Sequence, residues 1–305
     1  MKNCIIVVGS LNMDFVVSVR HIPVPGETVL GSAFKMLAGG KGANQANAAA
    51  RLACKDTLVM MAGCVGADMA GEQLKAGLAA AGVDISTIQT SASHPTGVAF
   101  IAVDELGQNS ITVAPGANLE LSPADVQLLR PNLQQAHSVL VQLETPLGTV
   151  ERVLIMAREA GVLTMLDPAP AQMLPPSLLS LVDVLTPNES EAMALTGSAG
   201  GGVDLEAAPA IAAELLAMGP RAVVLKLGAR GCYYTDGAAS HYSPAFPVAV
   251  KDTTAAGDTF NAALAVAFSE RMDLQKALRF ANKAASIAVT RAGAQASAPA
   301  RHEVD

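Results

Sequence analysis

No stretch of this 305-residue chain approaches the roughly 20 consecutive apolar residues that a bilayer-spanning helix needs. A membrane role is therefore not expected. The opening Met1-Lys2-Asn3-Cys4 lacks the form of a secretory signal, because residues 5–8 are a short strand-like run ending at Gly9. Runs of lysine or arginine are also missing, and the net charge of −7 argues against a protein that coats nucleic acid. Cys4, Cys54, Cys64 and Cys232 form no C-x-x-C pair and have no neighbouring histidines, which excludes a zinc site or a disulfide framework. They read as reduced, mostly buried thiols of a cytoplasmic protein. The five histidines, His21, His94, His137, His241 and His302, lack metal-ligand spacing, and none is a good catalytic candidate. Internal repeats and long linkers are absent too; Gly200-Gly201-Gly202 reads as a surface loop.

What is present is alternation. Hydrophobic residues make up 51% of the chain, much of it alanine, which suits closely packed helices. Short apolar runs at 4–10, 58–64, 85–89, 138–143, 163–166, 182–185, 222–227 and 232–234 predict strands. Between and after them the spacing predicts helices at 71–81, 122–133, 147–159, 190–195, 205–218, 258–269 and 274–290, plus an alanine-rich one ending near 53. Ser122-Pro123 supplies an N-cap and a first-turn proline for the helix at 122–133. Unalternating apolar strands between helices imply a mostly parallel sheet covered on both faces, in one α/β domain. Residues 13–38 and 96–113 are richer in paired strands (16–19, 28–35, 96–103 and 110–113). They are expected to form a smaller β-sheet projecting from the main layer.

Two stretches carry the chemistry. Lys251-Asp252-Thr253-Thr254-Ala255-Ala256-Gly257-Asp258-Thr259-Phe260-Asn261 narrows to three small residues just before a helix, which lets backbone amides converge where the helix dipole is positive. An acid at the mouth of such an anion site is useful if it takes a proton from an attacking hydroxyl while the amides hold a phosphoryl group. The same residues also fit an ordinary helix start with an acid in its first turn. The second stretch is Gly39-Gly40-Lys41-Gly42-Ala43-Asn44. It lacks the upstream glycine and following Ser/Thr of a Walker A loop, and Gln45 stands where a dinucleotide fingerprint needs glycine. It offers exposed backbone at a helix start and an amide able to donate and accept at once. Asn12, Asp14, Glu144, Asn188, Glu191 and Gly228-Ala229-Arg230-Gly231 all follow strands, where open parallel sheets bind ligands.

These two stretches resemble the two signatures of the PfkB-type carbohydrate kinases. Gly9-Ser10-Leu11-Asn12-Met13-Asp14, Pro25-Gly26-Glu27-Thr28, Thr96-Gly97-Val98-Ala99, Gln142-Leu143-Glu144-Thr145-Pro146, Thr186-Pro187-Asn188-Glu189 and Thr290-Arg291-Ala292-Gly293-Ala294-Gln295 are similar, in order, to the ribokinase branch of that family. The resemblance implies a ribokinase-like three-layer αβα sandwich with a β-sheet lid, and an ATP-dependent sugar kinase acting on the O5 hydroxyl of D-ribose. It implies that Asp258 is the base and that the amides of Ala255, Ala256 and Gly257 form the anion hole. Asn12, Asp14, Gly40, Lys41, Asn44 and Glu144 match sugar-binding positions. Asn188 and Glu191 match the element that organises Mg2+ with the phosphates, and Lys226, Leu227, Gly228, Ala229, Arg230, Gly231 and Asn282 fall where the family holds ATP. Asp252, Thr254, Ala288, Arg291, Gly293 and Ser297 match a site for K+ or another monovalent cation. A homodimer joined through the lids is implied as well. Lys226 departs from the hydroxyl residue frequent at its position, and Asn282 stands where histidine also occurs. Other readings are a kinase for deoxyribose, another pentose or a nucleoside, or a sugar- and nucleotide-sensing protein without catalysis.

Overall fold

The computed structural model describes residues 4–197 and 203–305, so Gly200-Gly201-Gly202 lies outside the described residues. Among the described residues, thirteen strands run in chain order: β1 Cys4–Val8, β2 Asn12–Ser18, β3 Ala33–Gly39, β4 Leu58–Gly66, β5 Val83–Ser91, β6 Gly97–Val103, β7 Asn109–Ala114, β8 Ala136–Val141, β9 Leu163–Leu166, β10 Val184–Leu185, β11 Ala222–Lys226, β12 Cys232–Thr235 and β13 Ser240–Ser243. The α-helices are α1 Lys41–Leu52, α2 Met69–Ala80, α3 Arg130–Leu133, α4 Leu147–Glu159, α5 Pro176–Leu179, α6 Glu189–Thr196, α7 Ala208–Ala217, α8 Ala256–Ser269, α9 Leu274–Ala288 and α10 Arg301–Val304.

The main sheet has the order β13-β12-β11-β10-β9-β8-β1-β4-β5, parallel from β11 to β5, with β12 and β13 added antiparallel at one edge. Its strands are buried on both faces because alternate residues serve two cores. Ile6, Val8, Met60, Val139 and Val141 pack with Val153, Leu154, Leu178, Leu195 and Leu215 from α4, α5, α6 and α7. Ile5, Val7, Val59, Met61 and Leu140 pack with Ala46, Leu74, Phe260, Leu264 and Leu278 from α1, α2, α8 and α9. This is a three-layer sandwich, and it explains why the strands read as continuous apolar runs. The second sheet, β3-β2-β6-β7, stands apart as a four-stranded layer.

Several boundaries differ from the periodicity for identifiable reasons. The strand predicted at 28–35 begins at Ala33, because β2 ends at Ser18 and leaves residues 28–32 without a partner strand. The helix predicted at 122–133 is a 3-10 turn at Asp125–Leu129 followed by the short α3. Pro131 has no amide to donate to Gln127, so the segment tightens before it turns helical. Strand β13 was not anticipated, since Ser240-His241-Tyr242-Ser243 carries little apolar signal and pairs only as an edge. Cys4, Cys64 and Cys232 are buried and Cys54 is exposed, all as free thiols. Among the described residues no helix is long and apolar enough to cross a membrane.

Strand β1 sits where the chain order reverses, with β4 on one side and β8 on the other. Loops leaving β1 and β8 therefore diverge above the sheet and open a crevice at the carboxyl ends of the strands.

Candidate active site

The loop after β1 and the start of α1 build one wall of that crevice. Gly40 has φ +88, and a Cβ there would lie 2.7 Å from the Asn12 amide nitrogen, so only glycine lets α1 begin this close to β1. Gly42, two residues on, is held to a close approach as well, since a Cβ there would come within 2.7 Å of the Gly9 carbonyl carbon. Asn12 is buried, and its Oδ1 accepts from Asn118 Nδ2 at 2.7 Å. Glu144, three residues past β8, accepts from the Ser10 hydroxyl and, at 3.2 Å, from the Lys41 amide. Asp14 on β2 overhangs the same space. Burial, then the nearby Glu144 charge, pushes its carboxyl up to about 7. Asn44 Oδ1 is buried without a protein partner, which suits a ligand hydroxyl.

Opposite stands Asp258, the third residue of α8 and buried. Its Oδ2 accepts from Asn44 Nδ2 at 3.0 Å and its Oδ1 from Gln45 Nε2 at 3.1 Å. Gln45 is itself fixed: its Oε1 accepts from Gln142 Nε2 at 2.7 Å, and Nε2 also donates to Asp167 Oδ2 at 3.0 Å. Burial pushes the Asp258 carboxyl up to about 6, with the Lys41 charge opposing and the Asp167 charge adding to it. Lys41 is held above the ordinary lysine range by Asp258, Glu144, Asp167 and Glu191, against the opposing effect of burial. An ionised, oriented carboxylate near neutral pH is what a general base requires.

Helix α8 starts without a side-chain cap. Its N-cap residue, Ala255, takes a left-handed conformation at φ +57, a strained choice for a residue with a Cβ. Position alone leaves the first amides without intrahelical acceptors. The Ala256 amide closes onto the Thr253 carbonyl at 3.2 Å, so of the expected anion-hole amides it is already engaged within the loop. The amides of Ala255 and Gly257, the other two expected there, make no such turn bond. The flanking loop, Lys251 to Thr254, and the 292–296 turn line a cleft of about 700 Å³ with Asp14, Val16, Leu37 and Ile101 of the second sheet.

The expected nucleotide side divides. Asn188 and Glu191 form a capping box at the start of α6: Asn188 Oδ1 accepts from the Glu191 amide, and Glu191 accepts from the Asn188 amide, each at 2.8 Å. Burial raises the Glu191 carboxyl, against the attraction of Lys226. Gly228, Ala229 and Arg230 are exposed beside α6, with the Arg230 guanidinium on Glu189 at 2.7 Å; Leu227 is core, so only its backbone is offered. Asn282 is buried, and its Nδ2 donates to the Ser243 carbonyl and hydroxyl at 3.0 Å and to the Pro244 carbonyl at 3.3 Å, tying α9 to the end of β13. Lys226 turns inward, with its Nζ on Asp167 at 2.9 Å.

The six positions expected around a cation gather between α8 and α9. Asp252 accepts from the Gly293 amide at 2.8 Å and the Thr254 amide at 2.9 Å. Against burial, the Thr254 hydroxyl and these amides hold its carboxyl below the usual range. The Ala288 carbonyl accepts from the Arg291 amide at 3.0 Å, Ser297 is buried against Ala294, and the Arg291 guanidinium is held by Glu303. Arg291 thus leaves only its main chain for an ion.

Sequence reasoning passed over Asp167, Gln45, Gln142 and Asn118. Asp167 had one signal, an acid just after β9 at the same sheet end as the others. Gln45 and Gln142 adjoin residues already singled out, but only the fold shows them orienting Asp258.

With this geometry in hand, the family model for pfkB family carbohydrate kinases matches residues 2–301. The chain belongs to that family. Its PfkB relatives include the ribokinase of Haemophilus influenzae, 42% identical over 303 residues, covering 99% of this chain and 97% of that protein. The Bacillus subtilis ribokinase is 40% identical over 306 residues, covering 100% of this chain and 99% of the relative. Among solved structures, Arabidopsis thaliana ribokinase complexed with ribose and ATP superposes with a TM-score of 0.90 at 34% identity, covering 100% and 98% of the two chains. As a PfkB carbohydrate kinase, the protein is a phosphotransferase acting on a sugar hydroxyl, and its sandwich with a separate small sheet is the ribokinase fold.

Proposed function

We propose that this chain phosphorylates the O5 hydroxyl of D-ribose with ATP, giving ribose 5-phosphate and ADP. The observation that carries the reading is the Asp258 carboxylate, held from both sides by Asn44 and Gln45 in the first turn of the uncapped α8. In the reaction the ribose oxygen bonds to the γ-phosphorus as the bond from that phosphorus to the β,γ-bridging oxygen breaks. The hydroxyl proton passes to Asp258, and ADP leaves with the bridging oxygen. The Gly257 and Asp258 amides face the charge that develops on the phosphoryl oxygens. Asn12, Asp14, Asn44 and Glu144 supply the mix of donors and acceptors that a polyol needs.

Half-buried Asn188 and buried Glu191, with Asp167 nearby, would hold Mg2+ arriving on the nucleotide, largely through water. When bound, that ion neutralises phosphate charge. Main-chain oxygens at Ala288, Arg291 and Gly293, with the low-lying Asp252 carboxylate, suit a monovalent cation beside the anion site. The free thiols and a triphosphate co-substrate suit a reducing, cytoplasmic setting. Closure of the small sheet over the sugar excludes water and limits wasteful hydrolysis of ATP.

The outer face of that sheet calls for a second copy of the chain. Phe15 stacks on Phe34 and Phe100, yet Phe34 is 60%, Met36 50% and Phe100 56% exposed. A contiguous apolar face of this kind marks an interface. Phe100→Glu is expected to convert a dimer to a monomer by light scattering. A monomeric wild type, or a dimeric variant, counts against it.

The pH profile has a definite sign. Asp258 must be ionised to accept a proton, and its carboxyl sits near 6. The kcat/KM for sugar is expected to be flat above that point and to fall about tenfold per unit below it. No acid limb between pH 5 and 7 would remove Asp258 from the role. The substrate is tested by ADP release across ribose, deoxyribose, other pentoses, fructose and adenosine, with and without potassium. Ribose should lead and potassium should raise its rate; equal rates for all sugars would refute the ribose assignment.

A further inference from the structure

Lys226 ends β11 inside the fold, its side chain only 11% exposed, with Nζ 2.9 Å from Asp167 Oδ1. The same nitrogen lies 3.4 Å from where a Cβ on Gly257 would stand. Gly257 is the second residue of α8, so the ammonium stands beside the free amides at the positive end of that helix. A cation placed there is opposed by the helix dipole unless an anion lies between them. Asp167 lies to one side and engages one of the three ammonium donors.

We propose that Lys226 is a further catalytic residue, one that grips the transferring phosphoryl group, and that Asp167 is its dock in the nucleotide-free enzyme. The inference rests on the kinase reading above. When ATP binds, the ammonium donates to a γ-phosphoryl oxygen on the side away from Asp258. It stays with that group as the bond to the β,γ-bridging oxygen breaks and the bond to the sugar oxygen forms. A lysine acts here as a compact point charge, matched to oxygens whose charge shifts during transfer. The competing explanation is a structural ion pair in which Lys226 only neutralises a buried acid.

The test uses the full-length protein with Lys226→Met, Lys226→Arg and the double variant Lys226→Met/Asp167→Asn. Gripping predicts that Lys226→Met lowers kcat by about 100-fold or more, with the KM for ribose changed by no more than about threefold. Calorimetry should show ATP affinity falling more than ADP affinity, since only ATP presents the γ group. Lys226→Arg should recover part of the rate. Should Lys226→Met fold poorly with Asp167 left unpaired, the double variant restores the melting temperature and still lacks turnover. A double variant with wild-type turnover, or Lys226→Met with unchanged kcat, overturns the proposal and leaves the kinase reading standing. Wild-type protein that phosphorylates no sugar overturns both.

Discussion

Replacing Asp258 with asparagine is expected to lower kcat by about 1,000-fold while leaving ribose affinity within about threefold. The split follows from what the carboxylate touches. Asparagine keeps the shape but has one acceptor where the carboxylate has two. Gln45 cannot turn to accommodate it, because its Oε1 accepts from Gln142 and its Nε2 also serves Asp167. Asn44 can turn, because its Oδ1 has no protein partner. The asparagine oxygen therefore settles toward Gln45 and its nitrogen toward a reoriented Asn44, which then offers Nδ2 in place of Oδ1 to a sugar hydroxyl that can donate or accept, so the fold and the shape of the sugar pocket survive. A buried charge is removed as well, so the melting temperature should not fall. Steady-state kinetics, ribose calorimetry and thermal unfolding on one preparation check all three. Turnover near the wild-type rate would show that the proton goes elsewhere.

Gly42→Ala, a change of one methyl group, is expected to cost both stability and activity. The new Cβ would lie 2.7 Å from the Gly9 carbonyl carbon and 2.8 Å from its Cα. Both are backbone atoms of the chain leaving β1, so no flexible side chain can give way. Overpacking of this kind costs about 1–3 kcal/mol. Relief comes by lifting the start of α1 off the sheet, and that start carries Gly40, Lys41, Asn44 and Gln45. A shift of about 1 Å in such residues can cost about 100-fold in rate. The variant should thus melt lower and turn over poorly with a raised ribose KM. Gly77→Ala serves as the control, since a Cβ there meets nothing within 4 Å. Equal behaviour of the two variants would dismiss backbone contact as the reason for Gly42.

Much of the fold is legible in the sequence. The parallel sheet showed in runs such as Cys4-Ile5-Ile6-Val7-Val8, which are apolar without alternation because both faces are covered. The helix at 147–159 was placed to the residue, its apolar stripe being unambiguous. Asp258 and the glycine-rich start of α1 stood out because small residues before a helix leave amides open. Less legible was anything decided by side-chain direction. Lys226 reads as a nucleotide-side residue, and only the fold shows its ammonium on Asp167. Asn282 reads as a base contact, and only the fold shows its amide nitrogen bonded to Ser243 and Pro244. A lone Asp167 before a proline reads as a turn until Gln45 and Lys226 converge on it from 122 and 59 residues away in the chain. Local pattern fixes where a strand ends; which ends meet is a matter of topology.

The central claim concerns one arrangement, a carboxylate taking the sugar proton beside amides that hold the phosphoryl group. Its most direct measurement is a crystal structure with ribose, ADP, magnesium and aluminium fluoride, which mimics the group in transit. The account expects an Asp258 carboxylate oxygen within about 2.6–3.2 Å of the ribose O5 hydroxyl, and the fluoroaluminate hydrogen-bonded to the Gly257 amide. A different hydroxyl facing Asp258, or a fluoroaluminate away from the start of α8, would contradict it.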